Sequence, residues 1–255
     1  MLLDLQDGII YGPVRSRRLG RSLGINILPA GRKVCSFDCL YCQYGFSQGK
    51  TREEAGKETN CLPTVTGVLS AVEGAVLNLS PPAAYLTFSG NGEATLHPGF
   101  KEIVLGLRDI RDRLCPGSKT AILSNSSMVN DPLIREALAL LDVRIMKLDA
   151  GTEEMFARYN RPAKGITLEA AVAGLAALED VTIQSLFTRG PEGNFTQEHV
   201  SAWVGQVKKI SPLFVQLYTL DRESPTASLI PVDKDELLQI QSLLERENIA
   251  SGVFG

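Results

Sequence analysis

The sequence predicts an α/β fold in which six βα units build one curved parallel sheet with helices outside, arranged as a partial barrel or as a doubly wound sheet. Three observations carry this expectation. Short β-type runs alternate with longer stretches of helical periodicity, the pattern of parallel crossovers rather than hairpins. Helix starts are marked, as at Asp131-Pro132 and Thr196. Polar or glycine-rich residues follow every strand run, which is where such sheets place their sites.

The units follow in order. The first strand run is 23–28, then a loop holding three cysteines, then a helix with Val65, Val68, Leu69, Val72 and Val76 on one face. The second run is 84–89, followed by a helix over about 99–113. The third, 120–124, leads to a helix over 133–141 with Ile134, Ala137, Leu138 and Leu141 as its apolar stripe. The fourth, 143–148, alternates so that Ile145, Lys147 and Asp149 share one face while Arg144, Met146 and Leu148 share the other. A helix over 168–178 and a fifth run over 181–187 follow. Thr196 then caps a helix whose buried face is Val200, Trp203, Val204 and Val207, before the sixth run at 213–218 and a closing helix near 233–247.

Composition narrows the class. The chain has 255 residues, 44% hydrophobic and 22% charged, which favours a soluble globular protein over disorder or a coiled coil. With 26 Lys+Arg against 29 Asp+Glu the formal charge is −3, which excludes a globally basic nucleic-acid binder and leaves room for a local patch. Residues 1–7 carry two acids and no basic-then-apolar run, so no targeting leader is expected. The uncharged stretch 74–92 is interrupted by Asn78 and Pro81-Pro82, so no membrane span is expected and the protein reads as cytoplasmic. No linker or repeat divides residues 1–255, which read as a single domain with a basic amino-terminal segment at 1–22 and the cysteine loop region at 29–61.

Cys35, Cys39 and Cys42 place three soft ligands within eight positions, suited to a metal ion or an iron–sulfur cluster. A closed structural zinc site needs four ligands, and the remaining Cys61 and Cys115 with His97 and His199 offer no second CxxC pair. A zinc-binding RNA-interaction protein stays open as the alternative outside redox chemistry. Arg15, Arg17 and Arg18 belong to the one local basic concentration and offer RNA phosphates a contact. Arg161, Arg189 and Arg222 follow strands and are candidates for a carboxylate or phosphate on a smaller substrate.

The CxxxCxxC, with Tyr41 just before the last cysteine, resembles the signature of the radical S-adenosylmethionine superfamily. The resemblance extends over nearly the whole chain and implies a partial (β/α)6 barrel. It implies a 4Fe-4S cluster held by Cys35, Cys39 and Cys42, with one iron open to S-adenosylmethionine. It also implies reductive cleavage of that cofactor to a 5′-deoxyadenosyl radical that abstracts a substrate hydrogen, and a flavodoxin- or ferredoxin-like electron donor. Carried over residue by residue, Asn91-Gly92-Glu93 is similar to the element that meets the methionine ammonium. Lys147 is suited to the methionine carboxylate and Asp149 to ribose hydroxyls, with Ser124 and Asn125 as added polar contacts. Leu186 and Tyr218 resemble parts of the adenine-binding segments. Residues 11–20, 22–26, 147–151, 159–162 and 218–222 resemble an iron–sulfur oxidoreductase subgroup related to the wyosine-base enzymes of tRNA modification. The substrate, tRNA or a small molecule, stays open, and a glycyl-radical-enzyme activating enzyme is the alternative within the class.

Overall fold

The computed structural model describes residues 2–47 and 61–254; residues 48–60, the later part of the 29–61 loop region, lie outside the described residues. Strands are numbered in chain order. An antiparallel pair, β1 (Ile10–Ser16) and β2 (Gly20–Ile25), opens an eight-stranded sheet. It continues in parallel through β3 (Tyr85–Phe88), β4 (Lys119–Ser124), β5 (Val143–Lys147) and β6 (Val181–Leu186). The strand β7 (Thr188–Arg189) leaves this sheet to pair antiparallel with β9 (Ile230–Pro231). The main sheet ends with β8 (Phe214–Tyr218) and β10 (Ser251–Phe254). It curls into a half-barrel, which settles the partial-barrel alternative over the doubly wound one.

Helices α1 (Val65–Leu77), α2 (Phe100–Leu114), α3 (Pro132–Ala139), α4 (Leu168–Ala176), α5 (Gln197–Ile210) and α6 (Lys234–Arg246) supply the crossovers. Their starts are chemically marked. Asp131 accepts from the Leu133 and Ile134 N–H groups, Thr196 from the His199 N–H, and Asp233 and Glu236 form a reciprocal capping box. All six predicted strand runs are present, the first shifted to Gly20–Ile25 because Asn26 turns its side chain onto the Leu28 carbonyl at 3.0 Å. Four strands, β1, β7, β9 and β10, were not expected. β1 carries Gly12 and Pro13 on the edge of the sheet, where a missing donor is tolerated, and β10 has only four residues.

Alternation sorts each strand between two surroundings. Leu86, Phe88, Ile122, Met146, Ile183, Val215 and Leu217 join the core beneath the helices. Ala121 and Ile145 face the bore, where Leu19, from the β1–β2 turn, packs on them beside Tyr85 and Val143 near the amino ends of the strands. Leu19 thereby plugs the bore at that end. Above it the lining turns polar. Ser22 and Thr87 hydroxyls lie 2.7 Å apart, and the Gln184 amide donates to Gln216 at 3.1 Å. Gly24 has no side chain because the Tyr11 ring occupies its Cβ position, with Tyr11 Cζ only 2.2 Å from it.

Candidate functional site

The cysteine loop leaves the carboxyl end of β2 and is clamped on two sides. At its start Val34 bridges Gly92: the Val34 N–H donates to the Asn91 carbonyl at 2.8 Å and the Glu93 N–H to the Val34 carbonyl at 2.9 Å. Gly92 has φ +137°, and a Cβ there would stand 1.8 Å from the Val34 carbonyl oxygen, so only glycine fits. On the other side Phe37 bridges Pro162, while the Asp38 and Leu40 N–H groups donate to the Asn160 and Tyr159 carbonyls at 3.1 and 3.0 Å. These acceptors come from a π-helical turn, Phe156–Asn160, whose Phe156 ring meets Phe37 edge-on at 5.3 Å. Gly92→Ala is therefore expected to cost at least about 2 kcal/mol, read as a lowered urea midpoint, and to loosen the loop just before Cys35.

Within the loop the three cysteines are half-buried free thiols. Asn125 Nδ2 approaches Cys35 Sγ at 3.5 Å and Asn160 Nδ2 approaches Cys39 Sγ at 3.6 Å. Lys33 is buried beside them, donating to the Gly45 carbonyl at 2.7 Å with Asp38 Oδ1 at 3.7 Å. Burial works against its ammonium, but Cys42, Cys35 and Cys39 outweigh it and raise its pKa. Burial pushes the Cys39 thiol up to about 11 and the Cys35 thiol higher still, so bare thiolates are disfavoured there and a bound cationic centre would stabilise them. Among the described residues no three His, Cys, Asp or Glu side chains converge on a single ion. A 4Fe-4S cluster takes each thiolate on a different iron, so three soft donors spread around one loop fit a cluster, whereas a closed zinc site needs a fourth donor, which does not join them among the described residues.

Facing the cysteines is a node around Asp149, which is 3% exposed. Its Oδ1 accepts from the Leu186 N–H at 2.8 Å and from Lys147 Nζ at 2.8 Å. Its Oδ2 accepts from the Tyr41 hydroxyl and from Asn160 Nδ2, the latter at 2.9 Å. A carboxylate has about four acceptor positions, and these donors fill them. Asp149 thus orients Lys147 and Tyr41. Lys147 also donates to the Tyr218 hydroxyl at 2.8 Å and lies 4.8 and 4.9 Å from the Tyr41 and Tyr218 ring centroids. Burial lowers its pKa, yet Asp149 and Tyr218 more than reverse this, leaving a cation with one donor to spare.

Other residues singled out in the sequence sort themselves by their partners. Glu93 is buried, accepts from Thr95, Ser124 and the Asn125 N–H, and so links β3 to the end of β4; burial still raises its pKa. The Asn91 side chain accepts from the Gln6 N–H and donates to the Gln6 and Pro29 carbonyls, so it pins the amino-terminal segment. Leu186 gives its N–H to Asp149, and its carbonyl accepts from Asn194. Arg189 pairs with Glu236 at 3.1 Å on the β7–β9 ribbon, Arg161 lies 3.6 Å from Asp38 and over Phe46, and Arg222 reaches Gln43 at 3.2 Å. Arg17 pairs with Asp221 at 2.9 Å, Arg18 turns onto Tyr218 and Arg15 is exposed, so these three form no common phosphate-facing row. Cys115 sits in the core and Cys61 is exposed. Sequence reasoning missed Lys33 and also Asn160, whose only signal was the Tyr-Asn-Arg-Pro string at 159–162.

No protein-family model matches the chain. A UPF0026 protein of Helicobacter pylori (strain J99) is 30% identical over 243 residues, covering 93% of this chain and 74% of that protein. Among solved structures, Streptococcus suis SuiB bound to S-adenosylmethionine superposes with a TM-score of 0.64 at 12% identity, over 91% of this chain and 50% of SuiB. TYW1 with a lysine–pyruvate adduct bound gives 0.58 at 16% identity, over 90% of this chain and 74% of TYW1. The chain thus spans half of SuiB, and it has the fold of the radical S-adenosylmethionine enzymes. Among the described residues no helix is long and apolar enough to cross a membrane.

Proposed function

Because the chain belongs to the UPF0026 family and has the radical S-adenosylmethionine fold, we propose that it is a radical S-adenosylmethionine enzyme acting on a small polar substrate. The observation that carries the reading is the doubly clamped loop presenting Cys35, Cys39 and Cys42 opposite the Lys147 ammonium at the carboxyl end of the half-barrel. Cys35, Cys39 and Cys42 would hold a 4Fe-4S cluster, which when bound supplies the electron that splits S-adenosylmethionine into methionine and a 5′-deoxyadenosyl radical.

The chain's own residues do the rest. The spare Lys147 donor takes the methionine carboxylate, and Asp149 fixes that ammonium in place from below. The Tyr41 and Tyr218 rings flank the Lys147 ammonium, and the Gly92–Glu93 backbone edge with Ser124 and Asn125 borders the methionine end. Asn125 and Asn160 hold amide N–H groups toward the Cys35 and Cys39 sulfurs, a contact that stabilises thiolate charge. Leu19 closes the far end of the bore against water. An electron donor of the flavodoxin or ferredoxin type and a reducing, cytoplasmic setting follow from this chemistry. RNA is disfavoured as substrate by the separate engagements of Arg17 and Arg18.

The test is anaerobic reconstitution with iron and sulfide, then dithionite and S-adenosylmethionine. The expected result is a visible cluster band and release of 5′-deoxyadenosine by mass spectrometry; tight stoichiometric zinc with no cofactor cleavage would overturn the reading.

A further inference from the structure

Arg18 is the one arginine of the β1–β2 turn drawn into the bore. Ser16 Oγ accepts from the Arg18 and Leu19 N–H groups at 3.3 and 3.1 Å, setting the turn, and Leu19 is buried against Ala121 and Ile145. That plug anchors the turn, so the Arg18 side chain starts from a fixed point. Its guanidinium lies 4.7 Å from the Tyr218 ring centroid, at the carboxyl end of β8. Among the described residues no carboxylate pairs with it, whereas its neighbour Arg17 has Asp221 and the site arginines Arg161 and Arg189 have Asp38 and Glu236.

Charge and lining point the same way. Two cations, Arg18 and Lys147, approach one tyrosine ring, and Asp149 is committed to the second of them. A half-buried guanidinium without an anion leaves its hydrogen-bonding fork unused on at least one side, and that fork matches a carboxylate or phosphate. The bore wall carries Gln184 with Gln216, Ser22 with Thr87, and the Tyr11–Ser89 hydroxyl pair, so it is polar above the Leu19 plug. Such a wall holds a hydrogen-bonding molecule and disfavours an aliphatic one.

We propose that Arg18 is the receptor for an anionic group, carboxylate or phosphate, on the substrate. The proposal rests on the cofactor occupying the Lys147 side of the node. It makes the hairpin turn, rather than the loop arginines, the determinant of substrate charge.

The experiment is equilibrium dialysis of labelled inorganic phosphate and labelled malonate against the full reconstituted chain, with and without saturating S-adenosylmethionine. The expected result is saturable binding of one probe per chain, undiminished by S-adenosylmethionine. Arg18→Gln should weaken it at least about tenfold, Arg18→Lys should restore part of it, and Arg17→Gln should leave it intact. The better probe assigns the group as phosphate or carboxylate. Absence of saturable binding, equal binding by Arg18→Gln, or displacement by S-adenosylmethionine would overturn the proposal. Cofactor cleavage by the wild-type chain, measured in parallel, separates the outcomes: cleavage without anion binding removes only the Arg18 site, and Arg18-dependent anion binding without cleavage removes the radical reading.

Discussion

Cys39→Ala, reconstituted under the same anaerobic conditions as the wild-type chain, is expected to retain less than about a tenth of its iron and to release no 5′-deoxyadenosine above background. The loop itself should persist, because its backbone is held by Val34–Gly92 on one side and Phe37–Pro162 on the other, and neither bridge passes through a sulfur. Iron content measured beside the far-ultraviolet spectrum checks this. Cys35→Ala and Cys42→Ala should behave alike. Cys115→Ala should keep its iron while losing some stability, since that thiol packs in the core beneath the helices, and Cys61→Ala should change neither. Iron loss in Cys61→Ala would add a fourth protein donor and close the position the cofactor needs. Asn125→Ala and Asn160→Ala form the graded case: each removes an amide contact to one sulfur, so iron should remain while the visible spectrum shifts.

How far the residues declared this arrangement depends on how local its causes are. The two faces of β5 were legible because alternation places Met146 with the helices and Ile145 with the bore regardless of the rest of the chain. Helix starts at Asp131, Thr196 and Asp233 were legible for the same reason, as each cap satisfies N–H groups within its own first turn. The β1 strand was not, since Gly12 and Pro13 are poor strand formers and only pairing with β2 makes the segment extended. Cysteine spacing revealed the loop, but the clamps on Val34 and Asp38 come from residues 58 and 122 positions away, at Gly92 and Asn160, and no local pattern encodes such a meeting. The same distance in sequence hid the partners of Asn91 and Asp149. Both carry the chemistry to meet a ligand, yet Gln6 and Pro29 occupy the first, and Tyr41, Asn160 and Leu186 surround the second.

Asp149→Asn carries the largest expected loss of stability, about 3–5 kcal/mol, the scale for removing one partner of a buried ion pair. The asymmetry within the pair sets the comparison. Asparagine leaves the Lys147 ammonium, only 15% exposed at its side chain, beside two aromatic rings with no counter-charge. Lys147→Met leaves Asp149 with the Tyr41, Asn160 and Leu186 donors, so its cost should be smaller, about 1–3 kcal/mol. Urea unfolding of both variants at pH 7 checks the order. S-adenosylmethionine affinity should fall in both, by about tenfold in Lys147→Met, because one loses the cation and the other its orientation. The pH dependence follows from the sign of the shift. Burial lowers the Lys147 pKa but Asp149 and Tyr218 raise it further, so the folded value lies above the ordinary lysine value of about 10.4. The pair's contribution is then complete at pH 7, persists up to that value and disappears only as pH climbs through the raised one. Stability of the wild-type chain relative to Asp149→Asn should therefore be flat from pH 6 to 9 and narrow only above about 10. A difference that already narrows near neutrality would mean that the ammonium is not charged in the folded chain, and a neutral amine at that position would have no charge to hold a carboxylate.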